Sequence, residues 1–155
     1  MRRAEQLRYL ILAIQREGNR LLAAELRPLG LTPSQGEVVR VLADHAPLTL
    51  QGLGELLVCE TGGSPSRLVD RLVAAGLVAR EADPADRRWV TLSLTESGRE
   101  TAVRVRDVEE RLHDRIDELT EGAPVDETLT LLRRFAEAFP AGQALARREG
   151  RSPQR

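Results

Sequence analysis

The sequence predicts a mainly α chain carrying one small β-hairpin wing, an α+β fold, and three observations lead there. Apolar residues recur at 3.6-residue spacing over 3–27. Leu7, Leu10, Ile11, Ile14, Gly18, Leu21 and Leu22 fall within one arc, with Arg8, Arg16 and Arg20 outside it. Helix-start signals stand at Thr32-Pro33-Ser34-Gln35 and again at Ser64-Pro65. Val90, Leu92 and Leu94 then alternate with Trp89, Thr91 and Ser93, the period-two pattern of a half-buried strand.

The elements follow in order. Pro28 and Gly30 end the first helix, and Gly18 within its stripe either admits a close neighbour or is a tolerated weak point. Thr32 caps the second helix, Pro33 suits its first turn, and Gln35 sits where a capping box needs it. Val38, Val39, Val41 and Leu42 form its apolar face, and Asp44-His45-Ala46-Pro47 stops it. Thr49 caps a short third helix containing Leu53, Leu56 and Leu57, and residues 58–63 turn into a fourth that Ser64 caps. Gly76 gives that helix a tight exit into strands Val78–Glu81 and Arg88–Leu94, joined by the turn Asp83-Pro84-Ala85-Asp86. Thr95 and Glu96 open a fifth helix reaching about Leu119, which carries Val103, Val108, Leu112, Ile116 and Leu119. A sixth runs from about Pro124 to Phe139, and a mobile tail is expected over 140–155. Residues 1–139 are therefore expected to form a single domain, long enough to bury a real core.

Composition narrows the function classes. A hydrophobic fraction of 41% with 30% charged residues fits a soluble globular chain, and aromatics at 3% leave the core to Leu, Val, Ala and Ile. No run of eighteen apolar residues offers a membrane span, and the N-terminal stretch lacks an apolar secretory segment. One cysteine cannot form an internal disulfide, in keeping with a reducing cytoplasm. The net charge of −1 counts against nucleic-acid binding as such. Between Thr61 and Arg99, six arginines (67, 71, 80, 87, 88, 99) meet five acids (70, 81, 83, 86, 96), a net of only +1. Placement, not total charge, carries the case for DNA.

On the fourth helix Leu68, Leu72 and Ala75 share one face, flanked by Pro65, Val69 and Val73. Ser66, Arg67, Asp70, Arg71 and Ala74 occupy the opposite arc, small enough to enter a groove. Helix N-termini favour phosphate, which brings in Ser64 and Ser66, and arginine can bind guanine edges bidentately. The bland alternative is a solvated face with an Arg67–Asp70 surface pair. At the hairpin tip, Arg87 and Arg88 suit a narrow minor groove, while Asp86 either orients one of them or merely stiffens the loop. A helix followed at once by a basic-tipped hairpin is a unit that reads duplex DNA through two grooves. The long first and last helices carry more apolar surface than the lobe between them needs, so they require each other or a second copy.

The runs SRLVDRLVAAGLV and DPADRRWVTLSLTESGR closely resemble the winged-helix core of the MarR family, the multiple-antibiotic-resistance regulators. Asp86 and Arg88 of the wing, Leu94-Thr95 closing it and the LTPSQ opening of the second helix match the family pattern. The resemblance covers nearly the whole chain to Phe139. It implies a winged helix-turn-helix with long N- and C-terminal dimerisation helices, about 3–27 and 96–139, around a DNA-binding lobe of about 32–95. It further implies a homodimeric transcription regulator, a ligand-responsive repressor of a pseudo-palindromic operator, whose fourth helix reads the major groove and whose wing enters the minor groove. A small-molecule effector would lodge between the dimer helices and the lobes. Two departures stand out. The turn VCETGGSPS is one residue longer and richer in glycine than usual, and Gly36 replaces a bulky residue, leaving space that is either a ligand pocket or filled from elsewhere.

Other readings have less support. A winged-helix module that binds protein and no DNA would suit the net charge of −1. Cys59 invites a redox switch, but the family's peroxide sensors place the reactive cysteine in the N-terminal helix, and Glu60 beside it raises a thiol pKa. His45 and His113 lie in no ligand-rich cluster, so no metal or cofactor is expected. No nucleophile–base set, phosphate loop or carboxylate pair emerges, so no enzyme is expected.

Overall fold

A computed structural model describes residues 1–59, 64–82 and 89–150. Seven helices and three short strands follow one another among them: α1 (Arg3–Leu26), α2 (Pro33–His45), β1 (Leu48–Thr49), α3 (Leu50–Gly54), α4 (Pro65–Ala74), β2 (Val78–Ala82), β3 (Val90–Leu94), α5 (Glu96–Thr120), α6 (Val125–Ala136) and α7 (Pro140–Arg148). The strands form an antiparallel sheet in the order β1-β3-β2, with Leu48 opposite Leu92, Val78 opposite Leu94 and Ala82 opposite Val90.

Local chemistry sets the boundaries. The α2 capping box forms as its sequence demands: Thr32 Oγ1 accepts from the Gln35 amide at 3.3 Å and the Thr32 amide donates to Gln35 Oε1 at 2.9 Å. Thr49 caps α3 through the Gly52 amide at 3.0 Å, and Thr95 caps α5 through the Gly98 amide at 3.0 Å. Gly76, at φ 71°, ends α4 in a Schellman turn: its amide bonds the Val73 carbonyl and the Leu77 amide bonds the Leu72 carbonyl, both at 2.9 Å.

One core joins these pieces. Leu26 of α1, Val38, Val39 and Leu42 of α2, Leu53 of α3, Leu72 of α4, Leu92 of β3 and Val105 of α5 are all buried together. Arg40 of α2 braces α5 from outside, donating to Glu109 at 2.9 Å. The notch left by Gly36 is filled by the tip of Leu26, whose Cδ1 lies 3.0 Å from where a Cβ would stand. That settles the space beside Gly36: α1 occupies it. Gly18, in contrast, has nothing within 4 Å of its Cβ position.

Gly98 sits against the corner between α4 and β2, where a Cβ would collide with the Leu77 carbonyl. The Thr95 hydroxyl donates to the Gly76 carbonyl at 2.7 Å across the same corner. Gly98→Ala is expected to cost about 3 kcal/mol, because backbone must move to admit the methyl group. Urea unfolding would show it as a lower midpoint at unchanged m; an unshifted midpoint would mean the corner yields freely.

Several expectations need correction. The third helix stops at Gly54, leaving Leu56 and Leu57 half-buried beyond its end, and Leu48–Thr49 is a strand because it completes the ladder beside β3. Ala75 is exposed: it caps α4 where the chain is already leaving the buried face. The hairpin's second strand begins at Val90, and Val90 itself is 51% exposed. The sixth helix ends at Ala136, and the mobile tail expected from Pro140 is a helix through Arg148. Pro140, the first residue of the expected tail, starts that helix at a position where its missing N–H costs nothing. Gly142 allows close approach to the Ala136 carbonyl, and Ala144 and Ala146 are buried.

Candidate nucleic-acid interface

The candidate surface is built on α4. Leu68, Val69 and Leu72 are buried and fix its rotation, so Arg67, Asp70, Arg71 and Ala74 face outward, with Ser66 half-buried at the first turn. Ser64 occupies the N-cap position, but its hydroxyl lies 2.7 Å from the Ser66 hydroxyl and caps no backbone amide. The expected side-chain cap is therefore absent, because the two serine hydroxyls pair with each other. Among the described residues the first-turn amides of α4 have no side-chain acceptor, which leaves the positive end that attracts phosphate.

The surface pair weighed for this helix does not form. Asp70 instead accepts from Arg80 of β2 at 2.6 Å, a bond between helix and hairpin. Both side chains are about half exposed, so the pair contributes little stability, but it sets the charge pattern. With Asp70 neutralised by Arg80, Arg67 and Arg71 have no side-chain partner among the described residues. They stand one helical turn apart on the outer face. The net of +1 counted along the sequence understates this: two guanidinium groups unpaired among the described residues are gathered on one ridge.

Asp86, Arg87 and Arg88 lie outside the described residues. The strands that carry them do not, and β2 and β3 pair without slippage from Val78–Leu94 to Ala82–Val90. The hairpin thus leaves the lobe beside α4, tied to it by Asp70–Arg80. Trp89 at the base of β3 is 57% exposed.

Sequence reasoning passed over two residues. Arg80 was counted only as charge. Glu37 lies within the apolar face of α2, 9% exposed, and accepts from the Val58 and Cys59 amides at 2.8 Å each. An acid between Gly36 and Val38, on a face otherwise apolar, was the available signal. The turn it holds leads into α4.

Cys59 is half-buried in that turn, and burial, followed by the charge and hydrogen bond of Glu37, pushes its thiol up to about 12. A thiol held that high is scarcely ionised at neutral pH, which opposes a redox switch. The sequence-based cause, Glu60, lies outside the described residues. His45 is exposed, and exposed His113 has Glu110 3.9 Å away; no cluster able to hold a metal occurs among the described residues. No described helix is long and apolar enough to cross a membrane. Between α1 and α5, Leu21, Leu22, Val108 and Leu112 line a groove of about 280 Å³, with Arg111 donating to Glu25 at 3.1 Å beside it.

Residues 29–88 match the model of the MarR family. The uncharacterized HTH-type transcriptional regulator YcgE of Bacillus subtilis is 39% identical over 99 residues, 63% of this chain and 64% of that protein. The multiple antibiotic resistance protein MarR of Escherichia coli is 33% identical over 132 residues, 84% of this chain and 89% of that protein. The chain belongs to the MarR family. A mutant of Escherichia coli MarR, solved as a complex with operator DNA, superposes with a TM-score of 0.69 at 32% identity, over 87% of this chain and 94% of that one. The MarR fold accounts for the order of elements here: a helix-turn-helix from α3 and α4, a wing from β2 and β3, and long flanking helices. The protein is a MarR-family transcription regulator, and no enzymatic role is called for.

Proposed function

We propose that two copies of this chain bind a pseudo-palindromic operator as a repressor, with α4 of each in the major groove and each wing reaching the adjacent minor groove. The observation that carries this reading is the outer face of α4. Arg67 and Arg71 project there without side-chain partners among the described residues, because Arg80 holds Asp70. Ser64 and Ser66 at the helix start would meet phosphate, and Arg71 or Arg67 a base edge. Arg87 and Arg88 would enter the minor groove, with Asp86 orienting one of them.

The dimer rests on apolar surface that the protomer leaves open. Leu10 and Ile14 of α1 are 61% and 72% exposed, Leu119 of α5 is 73% exposed, and Phe135 of α6 is 50% exposed. Large apolar side chains this exposed on three helices suit a second copy better than solvent. The groove between α1 and α5 is lined by the dimer helices alone, and a small-molecule effector seated there would change lobe separation by shifting one helix against the other. Recognition helices spaced for successive major grooves should sit about 34 Å apart, so a displacement of a few ångströms would stop both docking at once.

Selection of bound fragments from random duplex DNA tests the reading, and half-sites about ten base pairs apart are expected. Arg88→Ala should lose about 1–3 kcal/mol of binding and flatten the salt dependence. Recovery of no enriched sequence would refute operator recognition; full retention by the variant would refute the wing assignment alone.

A further inference from the structure

The buried carboxylate of Glu37 has more bonds than packing alone requires, and they run in two directions. On one side it takes the Val58 and Cys59 amides, the start of the turn into α4. On the other, Arg148 at the end of α7 donates to Glu37 Oε1 at 2.7 Å. Arg147 adds a bond from the same helix to the Glu55 carbonyl at the end of α3, at 3.2 Å. The last described helix is thus fastened directly to the end of α3 and, through Glu37, to residues 58 and 59 of the α3–α4 connection. It is not merely an extension of α6.

We propose that Glu37 is a positioning residue for DNA reading, and that Arg148 makes its hold on the α3–α4 turn depend on α7 being docked. The physical argument is one of satisfaction. A carboxylate this deeply buried needs a cationic partner, and among the described residues Arg148 is the cation bonded to it. With Arg148 in place, Glu37 keeps its oxygens on the Val58 and Cys59 amides, the residues from which the chain goes on to α4. When α7 leaves, the carboxylate is buried without a countercharge. It must then draw in water or turn outward, and either movement releases the Val58 and Cys59 amides. The entry to α4 loosens although no residue on the reading face has changed. The C-terminal helix therefore sets how well the reading helix is presented, and anything that displaces α7 would weaken DNA binding.

This inference rests on the operator reading above, so its test has one arm that needs no DNA. Cys59 is the chain's single cysteine and lies in the held turn, which makes it a reporter of turn opening. Reaction of the full-length, DNA-free protein with dithiobis(nitrobenzoate) would be timed for the parent, Arg148→Ala, Arg148→Lys and Glu37→Gln. Arg148→Ala is expected to label roughly ten-fold faster, because the amides at 58 and 59 open more often, and Glu37→Gln faster still, because it also removes the charge that holds the thiol up. Operator affinity, measured on a selected fragment, should fall roughly three- to ten-fold in Arg148→Ala and recover in Arg148→Lys, which restores the cation. Parental labelling of Arg148→Ala would overturn the coupling whatever happens to DNA binding. Faster labelling with unchanged operator affinity would overturn the link from turn to reading helix. If the parent itself bound no DNA, the operator reading would fail while the labelling arm still decided the coupling. Should Glu37→Gln not fold, as judged by its circular dichroism, the Arg148 pair carries the test unaided.

Discussion

Replacing Arg67 and Arg71 together by alanine is expected to lower operator affinity by about 3 kcal/mol, more than a hundredfold, with no change in fold. Both side chains are exposed and neither has a described partner, so nothing inside the lobe is lost. The loss falls on the complex, where each guanidinium would replace water and counterions with phosphate oxygens or a base edge. Titration of a labelled operator at several salt concentrations separates the two roles. A phosphate contact lowers the salt slope by about one, whereas a base contact weakens the cognate site more than scrambled DNA. Asp70→Asn, which frees Arg80, serves as the contrasting variant because it adds cationic charge beside the same ridge. Parental affinity in the double alanine variant would remove α4 from the interface.

The second large effect concerns assembly. Aspartate at both Ile14 and Leu119, side chains 72% and 73% exposed in the protomer, is expected to give a folded monomer that binds operator at least a hundredfold more weakly. Each protomer would then meet one half-site alone, losing the effective concentration supplied by its attached neighbour. Sedimentation equilibrium would follow the mass, and titration on operator the affinity. A dimeric variant would place the interface elsewhere; a monomeric parent would dismiss the assembly altogether.

Much of the fold was legible because short-range chemistry decides it. Thr32, Thr49 and Thr95 cap as their positions suggest, Gly76 supplies the left-handed exit, and Leu92 and Leu94 turn inward at period two. The two-residue strand Leu48–Thr49 was not legible, since its pairing with β3 spans more than forty residues and leaves no local pattern. Helix α7 was misread because a proline marks both the end of one helix and the first turn of the next. The site divided in the same way. Which residues face outward on α4 followed from helical period, whereas Asp70 choosing Arg80 over Arg67 depends on where β2 returns. Glu37 was visible as a charge out of place, but its partners come from 21 and 111 residues away.

Leu26 seated over Gly36 makes the junction between α1 and the lobe a fulcrum. With α1 rising 1.5 Å per residue, a tilt of about 5° at that point carries its far end at Arg3 through about 3 Å. The bare backbone at 36 thus acts as the bearing of a lever whose long arm is the first helix. Filling it with a bulky side chain would push the Leu26 tip aside and change how small torsions at one end are magnified at the other.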